Sequence, residues 1–336
     1  MKKKISIIFI SILLSCSPEE KQLEDFSFTG TTMGTTYSIK IITNKNNIPD
    51  SFDTKIDSIL IEVNNQMSTY IPTSELSKFN STLDTSWFAT SKELVQLFDE
   101  SIEISELTNE AFDITVGQLV NLWGFGPLQN ENIIPTDEDI NNLKQDIGIA
   151  NLRVDLQNLK IKKLKPKLYC DLSAIAKGYG VDKLAKYFNS YNIKNYMIEI
   201  GGEVRTSGKK QNGEVWKIGI SSPNNSNLQS IVGLSNLSMA TSGDYLNYFE
   251  QDGIRYSHTI DSRTGKPITH KLASVTVLHK DCRYADALAT AINVMGPEDG
   301  YYFALKEKLP IFMIVREENN FVEKMTPQFS KFVIKN

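Results

Sequence analysis

Residues 255–290 combine a strand, a turn, a second strand and a helix, and they carry the most informative side chains of the sequence. Residues 255–267 read R-Y-S-H-T-I-D-S-R-T-G-K-P, and residues 281–290 read D-C-R-Y-A-D-A-L-A-T. In the first segment a predicted strand ends at a histidine and an aspartate, and T-G-K-P predicts a turn. In the second, a carboxylate and a hydroxyl lie on one side of a predicted helix. Hard oxygen ligands beside a histidine are typical of metal-assisted phosphoryl chemistry.

Asp286 and Thr290 are the carboxylate and the hydroxyl of this helix. They project at the edge of its apolar stripe, where a carboxylate needs a partner. A Mg²⁺ ion bound to both side chains would supply that partner. Alternatively, Asp286 caps the helix or pairs with Arg283, and Thr290 bonds back to the main chain. Spacing alone leaves both interpretations open.

His258 is one of three histidines in the chain. Its imidazole titrates near neutral pH, so it could serve as a general base, but a single histidine can equally be structural. Its position just before Ile260 and Asp261, at a strand end, is compatible with either role.

The second half of the chain contains more strands than helices, and hairpin turns such as Gly201 and Gly202 separate the strands. Residues 67–80 are predicted to form a loop. We therefore predict an α+β fold with a mostly antiparallel sheet core flanked by helices, not a doubly wound parallel sheet. Apolar spacing and capping residues predict helices at residues 52–66, 91–108, 136–147, 172–188, 284–295 and 298–305, and a shorter helix within residues 111–123.

Residues 1–15 are predicted to be a lipoprotein signal peptide that is not part of the fold. Three lysines and a short apolar segment, too brief to span a bilayer, precede the sequence L-L-S-C. This sequence resembles a lipobox, so Cys16 is the expected site of cleavage and acylation, including palmitate. An ordinary secretory signal with a chance cysteine is the alternative. Residues 16–26 would form a polar tether, which would hold the protein outside the cytoplasm, on the periplasmic side of a bacterial membrane.

The chain has 336 residues and a formal net charge of -4. This charge argues against nucleic acid as a partner, because phosphate backbones attract a basic face. Residues 27–336 are enough for one large domain. An oxidising compartment would permit a disulfide between Cys170 and Cys282, but the sequence does not decide whether it forms. Neither cysteine has a second one at zinc spacing, so no zinc site is expected.

Residues 171–182 read D-L-S-A-I-A-K-G-Y-G-V-D and predict the start of a helix. Asp171 is placed to cap this helix, and a helix start can present backbone N–H groups to an anion. Lys177 lies further along the helix. Gly178 and Gly180 would let a ligand or another backbone come close, or they serve helix packing alone. The segment is neither a P-loop nor a Rossmann fingerprint.

Taken together and in this order, the segments resemble the ApbE family, the FAD:protein FMN transferases. Several separated blocks agree in order and spacing, so the resemblance is specific, and it implies an ApbE-like, T-fold-related architecture. The motifs that carry it are G-T-T-M-G-T at residues 30–35, M-S-T-Y at 67–70, F-D-I-T-V at 112–116, D-L-S-A-I-A-K-G at 171–178, I-G-G-E at 200–203, S-H-T-I-D at 257–261 followed by T-G at 264–265, and A-D-A-L-A-T at 285–290.

The resemblance implies a Mg²⁺-dependent enzyme that binds FAD and transfers its FMN half, releasing AMP. The acceptor would be a threonine or serine hydroxyl of a membrane or periplasmic redox protein. Two alternatives are a Mg²⁺-dependent FAD pyrophosphatase, which gives FMN and AMP, and a non-catalytic, lipid-anchored flavin-binding protein.

The resemblance also implies a role for individual residues. His258 is in the position of the general base. The metal would be bound by the Ala174 carbonyl, Asp286, Thr290 and the backbone at Ala289. The positions that would contact the flavin nucleotide are Met33, Tyr70, Ala111, Phe112, Asp113, Asp171, Lys177 and Ile260.

Overall fold

The computed structural model describes residues 23–127, 134–223, 228–243, 248–318 and 320–334. The predicted signal peptide, Cys16 and most of the tether therefore lie outside the described residues. The end of the tether is described, and the first strand begins at Glu24, so residues 24–26 are part of the sheet. Glu24 and Asp25 resemble tether residues because the strand begins at an exposed sheet edge. Within the described residues, no helix has the length and apolar content needed to cross a membrane.

Eight helices are described, and the longer ones form where apolar residues recur at helical spacing. In α1, for example, Ile56, Ile59, Leu60 and Val63 are all buried. The bounds are α1 Phe52–Met67, α2 Glu75–Ser81, α3 Lys92–Leu107, α4 Gly117–Leu122, α5 Asp137–Lys144, α6 Ser173–Ser190, α7 Cys282–Lys306 and α8 Pro327–Ser330.

Seventeen strands are described, and they are concentrated in the second half of the chain. Their bounds are β1 Glu24–Thr32, β2 Thr35–Thr43, β3 Phe88–Ala89, β4 Leu152–Asp155, β5 Lys160–Lys163, β6 Asn195–Ile200, β7 Glu203–Ser207, β8 Trp216–Ser221, β9 Leu228–Leu234, β10 Ser238–Gly243, β11 Tyr248–Gln251, β12 Ile254–Ser257, β13 Ile260–Asp261, β14 Lys266–Pro267, β15 Leu272–His279, β16 Ile311–Glu317 and β17 Asn320–Met325.

The core of the molecule is an eight-stranded sheet in the order β1-β2-β6-β7-β10-β15-β16-β17. Every neighbouring pair in this sheet is antiparallel. Four smaller sheets are β3-β5-β4, β8-β9, β11-β12 and β13-β14. The prediction of an α+β fold with a mostly antiparallel core is therefore confirmed.

Both faces of the central sheet are covered. On β16, Ile311 and Met313 belong to a hydrophobic cluster that includes residues of α1, α3, α6 and α7, whereas Phe312 and Ile314 belong to a cluster with residues of β8, β9 and α8. This alternation follows from the period of two along a strand. The helical face is the one that carries the site described below.

One element prediction needs correction. Residues 67–80 are not all loop, because α2 occupies Glu75–Ser81 and the Ser74 side chain caps it by accepting from the N–H of Ser77. The two helices predicted around Gly296 are both present, as the two helical segments of α7 that meet at a kink at this residue. Gly296 has a φ of 82°, a left-handed conformation that glycine adopts readily and that accounts for the kink. Cys170 and Cys282 are buried free thiols and form no disulfide.

Candidate active site

A cleft of about 920 Å³ lies on the helical side of the sheet. It brings together segments that are far apart in the chain, from the β1–β2 turn to α7. Ala289 is buried and does not line this cleft, so its contribution through the backbone stays a prediction. The predicted residues that do line it are Met33, Tyr70, Ala111, Phe112, Asp113, Asp171, Ala174, Lys177, His258, Ile260, Asp286 and Thr290.

Met33 reaches the cleft from the two-residue turn between β1 and β2. Met33 and Gly34 have φ values of 51° and 72°. Positive values at both central residues are typical of the tight hairpin turn whose twist matches that of the strands. The Met33 side chain lies against α6, because a Cβ added at Gly180 would be 2.9 Å from its Cε. The turn thus places a flexible apolar side chain at one wall of the cleft.

The centre of the cleft contains one ammonium group between two buried carboxylates. Lys177 Nζ lies 3.3 Å from Glu203 Oε1 and 3.7 Å from Asp286 Oδ1. The other Asp286 oxygen, Oδ2, accepts a hydrogen bond of 3.0 Å from the Gly178 N–H. Glu203 and Asp286 are only 2% and 5% exposed. The second oxygen of Glu203 is buried without a hydrogen-bond partner among the described residues.

Burial is the largest single influence on the pKa values of Glu203, Asp286 and Lys177. It raises the pKa of Glu203 to about 8, although the Lys177 ammonium acts in the opposite direction. Burial also raises the pKa of Asp286, against Lys177 and the Gly178 N–H. Burial alone would lower the pKa of Lys177, but the carboxylates of Asp286 and Glu203 outweigh it and the pKa is raised. The lysine is therefore protonated, and it does not act as a base near neutral pH.

Glu203 was not predicted as a site residue. The sequence signal was present, because a carboxylate directly follows the Gly201 and Gly202 turn and begins a buried strand. A buried carboxylate at such a position needs a charged or hydrogen-bonding partner. That partner, Lys177, is on a different element and could not be identified by spacing.

The residues around Asp286 and Thr290 suit a hard cation. Both side chains line the cleft, and so does Ala174, which is in the first turn of α6. The described residues contain no group of three or more His, Cys, Asp or Glu side chains that could hold a metal ion. The available donors are a carboxylate, a hydroxyl and backbone carbonyls, all of them oxygens of the kind that Mg²⁺ prefers. The donor set therefore fits Mg²⁺.

The alternative roles considered for Asp286 are wrong. Arg283 does not pair with it, because its guanidinium binds Glu100, with Nε 2.7 Å from Oε2, and also contacts Asp182. Asp286 does not cap α7 either, since that helix begins at Cys282 and Asp286 lies inside it.

His258 lies between β12 and β13 and is partly buried. Its ring is edge-on to Phe125, with 6.3 Å between the ring centroids, and Phe125 also contacts Phe249. Phe249 in turn stacks on Tyr256, which stacks on Trp123. This aromatic cluster supports the end of the cleft where His258 lies.

Residues 111–113 also line the cleft, and all of them are buried. The Asp113 carboxylate accepts hydrogen bonds from the Thr115 N–H at 2.8 Å and from its hydroxyl at 2.7 Å. Burial raises the pKa of Asp113, and these hydrogen bonds oppose the shift. Ala111 and Phe112 thus pack in the core and, together with Asp113, line the cleft.

Asp171 and Tyr70 lie at the rim of the cleft. The Asp171 carboxylate accepts from the Ser173 N–H at 2.8 Å, but the residue that precedes α6 is Leu172, which makes no side-chain cap. The prediction that Asp171 is the helix cap is thus only approximately correct. Tyr70 is 67% exposed, so its ring can contact a bound molecule at the mouth of the cleft.

Comparison with known proteins identifies the relatives of this chain. Residues 33–313 match the model of the ApbE family. A Vibrio cholerae protein named FAD:protein FMN transferase is 45% identical over 333 residues, which cover 98% of this chain and 99% of that protein.

Solved structures agree with the sequence comparison. The flavin transferase ApbE from Vibrio cholerae superposes with a TM-score of 0.85 at 45% identity, covering 92% of this chain and 99% of that one. The apo form of the flavinyl transferase ApbE from Pseudomonas stutzeri gives a TM-score of 0.86 at 36% identity, covering 93% and 97%. This chain therefore belongs to the ApbE family.

Proposed function

We propose that this protein transfers FMN from FAD to a threonine or serine hydroxyl of an acceptor protein, in a Mg²⁺-dependent reaction that releases AMP. The names of its relatives support transfer of a flavin nucleotide. The observation that carries the proposal is the cleft, in which the predicted nucleotide, metal and base residues meet although they come from separate elements. A volume of about 920 Å³ suits a large organic ligand.

The reaction exchanges a phosphoanhydride bond for a phosphoester bond. The hydroxyl oxygen of the acceptor bonds to the phosphorus of the FMN half. The bond from that phosphorus to the bridging oxygen of the diphosphate breaks, and AMP leaves with the bridging oxygen. The hydroxyl proton passes to a base, which we assign to His258. A hydroxyl is a weak nucleophile, so a base with a pKa near ambient pH assists its attack.

The charges in the cleft indicate why a cation is needed. Asp113, Asp171, Glu203 and Asp286 line it, whereas Lys177 is already paired with two of them. Because this lysine is already paired, the cleft offers little positive charge to a diphosphate that carries two negative charges. Mg²⁺ held by Asp286, Thr290 and the Ala174 carbonyl would neutralise the diphosphate and stabilise the charge that develops on AMP.

The apolar part of the cleft suits the ring systems of FAD. Phe112, Ile260 and Met33 provide apolar surface inside it, and the exposed ring of Tyr70 lies at the mouth. Such surfaces stabilise bound flat aromatic ligands through burial and stacking. These residues bind and orient the dinucleotide so that its diphosphate lies near the charged centre.

One incubation distinguishes the proposed function from its alternatives. The full chain is mixed with FAD, Mg²⁺ and a peptide that carries an acceptor threonine. Covalent fluorescent flavin on the peptide supports the transferase. AMP without labelled peptide would identify a pyrophosphatase, and neither product would identify a flavin carrier.

We further propose that the protein is a lipoprotein, anchored by acylated Cys16 on the periplasmic side of a bacterial membrane. A basic start, a short apolar segment and L-L-S-C at residues 13–16 support this proposal. An anchored enzyme would meet acceptors that are themselves membrane or periplasmic redox proteins.

A further inference from the structure

The two helices that would hold the cation, α6 and α7, meet along one side of α6. Ala174, Gly178 and Asp182 are spaced four residues apart, so they lie on one side of this helix. The first turn of α7 packs against this side. The spacing between the predicted ligands of α6 and α7 therefore depends on how these two helices are joined.

Gly178 allows a close approach at the middle of this face. A Cβ at this position would lie 2.5 Å from the Cys282 carbonyl oxygen and 2.6 Å from the Arg283 Cα, both of which belong to the backbone. The Gly178 N–H also donates to Asp286 Oδ2 at 3.0 Å. In a regular α-helix this N–H is the donor to the Ala174 carbonyl, so Asp286 competes for it. By accepting this N–H, Asp286 leaves the Ala174 carbonyl oxygen available to bind a cation.

Asp182 joins the two helices one turn further along. One of its oxygens accepts from the Cys282 N–H at 3.0 Å, and the other accepts from the Arg283 N–H at 3.2 Å. The residue that precedes α7, Asp281, makes no side-chain cap of its own. Asp182 therefore supplies, from a neighbouring helix, the acceptors that the exposed N–H groups at a helix start require.

The Asp182 carboxylate is itself held firmly. It is 8% exposed, and the guanidinium groups of Arg205 and Arg283 contact it. A carboxylate with two backbone and two guanidinium donors has a fixed orientation. Its contacts explain how the start of α7 is fixed relative to α6, but they have no direct part in binding FAD or Mg²⁺.

We propose that Asp182 is a positioning residue, which fixes α7 against α6 so that the Asp286 carboxylate and the Ala174 carbonyl can bind the same cation. This inference rests on the proposed function, because it concerns the Mg²⁺ site of that reaction. Partners outside the ligand shell typically contribute about 10- to 100-fold to metal affinity. The effect should therefore appear in the affinity for Mg²⁺ and not in the rate at saturating Mg²⁺.

The test compares Asp182→Ala and Asp182→Asn with the wild type and with Glu100→Gln. Glu100 binds the same Arg283 guanidinium, so its substitution weakens the charge network but leaves the contacts of Asp182 to the α7 backbone in place. Two readouts are used: release of AMP from FAD as Mg²⁺ is titrated, and the rise in unfolding temperature that Mg²⁺ causes without FAD.

For Asp182→Ala we expect the half-saturating Mg²⁺ concentration to rise about 10- to 100-fold with an unchanged rate at saturation. The temperature rise should need correspondingly more Mg²⁺. Asp182→Asn should show a smaller shift in the half-saturating Mg²⁺ concentration, because its amide oxygen still accepts one N–H. If the alanine variant does not fold, the comparison is made with Asp182→Asn instead. Glu100→Gln should match the wild type.

Two results would overturn the inference alone: Mg²⁺ affinities of both Asp182 variants equal to that of the wild type, or a lower rate at saturation with unchanged affinity. A wild-type protein with no Mg²⁺ response in either readout would instead overturn the proposed function, and the inference with it.

Discussion

At the scale of single residues, the site depends on groups whose chemistry is set by their surroundings. Lys177 is a clear case, since two buried carboxylates hold its proton and exclude it as a base. His258 lines the same cleft and stays the residue predicted to be the base.

His258→Ala should keep FAD binding and lose transfer. The expected loss is roughly 10²–10⁴-fold, the usual contribution of a general base. FAD binding is measured by flavin fluorescence and transfer by covalent labelling of an acceptor peptide. His279→Gln is the control, because His279 stacks on Tyr284 and does not line the cleft. Transfer that survives in His258→Ala would exclude this residue as the base.

His279 should make the protein less stable in mild acid. Burial lowers its pKa below the ordinary value of 6.5, and the Asp281 contacts only partly oppose this shift. Below pH 6.5 the unfolded chain binds a proton that the folded chain binds less readily, so stability falls as the pH falls through this window. Above pH 6.5 the histidine is neutral in both states and has no effect.

The measurement is urea unfolding at pH 7.5 and at a pH of about 5.5, in the wild type and in His279→Gln. The variant should lose less stability between the two pH values, because it has no imidazole to protonate. Equal losses in the two proteins would show that His279 does not contribute to the pH dependence.

The sequence identified most residue types of the site, but not how they pair. Asp286, Thr290 and His258 could be proposed as site residues because their motifs are local. Glu203 was missed, and the Asp286–Arg283 pair was a wrong alternative, because charge pairing in the fold joins α6 to β7 and α3 to α7. Such pairs depend on tertiary packing, which spacing along one element does not report.

At the scale of elements, the contact between α6 and α7 is the feature on which the site depends most. The local sequence of α6 does not indicate the close approach at Gly178, because glycine is a poor helix former. Its presence inside a long helix is explained only by the backbone of Cys282 and Arg283, which lies against it.

Gly178→Ala should destabilise the protein, and Gly180→Ala should not. Alanine favours a helix by about 1 kcal/mol over glycine. At Gly178 the new methyl meets backbone atoms 2.5–2.7 Å away, and overpacking of this kind typically costs about 1–3 kcal/mol or more. At Gly180 the nearest atom, 2.9 Å away, is the flexible end of Met33, which can move.

Chemical denaturation of both glycine variants gives the comparison directly, and each is measured against the wild type. We expect a clear loss for Gly178→Ala and a change within about 1 kcal/mol for Gly180→Ala. If the two variants were equally stable, α6 and α7 could not be as close as described.

Helices with a sustained apolar period were predicted well, whereas short elements were not. In α2 only Leu76, Phe79 and Asn80 are buried, so its seven residues are too few for a period to be recognised. The helix break at Gly296 was predictable, because glycine readily adopts the positive φ that separates the two helical segments of α7.

At the scale of the whole molecule, the balance of strands and helices was enough to predict the α+β class. The order of the strands was not predictable, because β2 pairs with β6 and β10 pairs with β7 and β15. These pairings join residues that are distant in sequence and leave no local pattern.

Binding of FAD and of Mg²⁺ should be coupled. The cleft is rich in carboxylates, so Mg²⁺ should tighten FAD binding, and FAD should tighten Mg²⁺ binding by the same factor. Isothermal titration of FAD into the wild type, with and without Mg²⁺, measures the coupling. In Asp286→Ala the coupling should disappear. Equal FAD affinity with and without Mg²⁺ in the wild type would contradict the proposed site.

Cys16→Ser should release the protein from the membrane. The thiol is the predicted acceptor of the acyl chains, and a serine in its place should abolish signal-peptide cleavage at that bond and palmitate labelling. Membrane fractionation and metabolic labelling with palmitate measure both effects. Cys170→Ser is the control, because Cys170 is buried in the folded domain and is no acylation candidate. Labelling that persists in Cys16→Ser would exclude the anchor.

The strand order also limits when the chain can fold during its synthesis. β2 ends at Thr43, but its neighbour β6 begins only at Asn195, and the opposite edge of the sheet ends with β17 at Met325. A nascent chain would therefore carry an unfinished hairpin while about 150 further residues emerge. Pairing over such separations is slow, so the polypeptide remains unfolded for longer. This delay would favour a precursor that has to pass through a translocation pore before it folds.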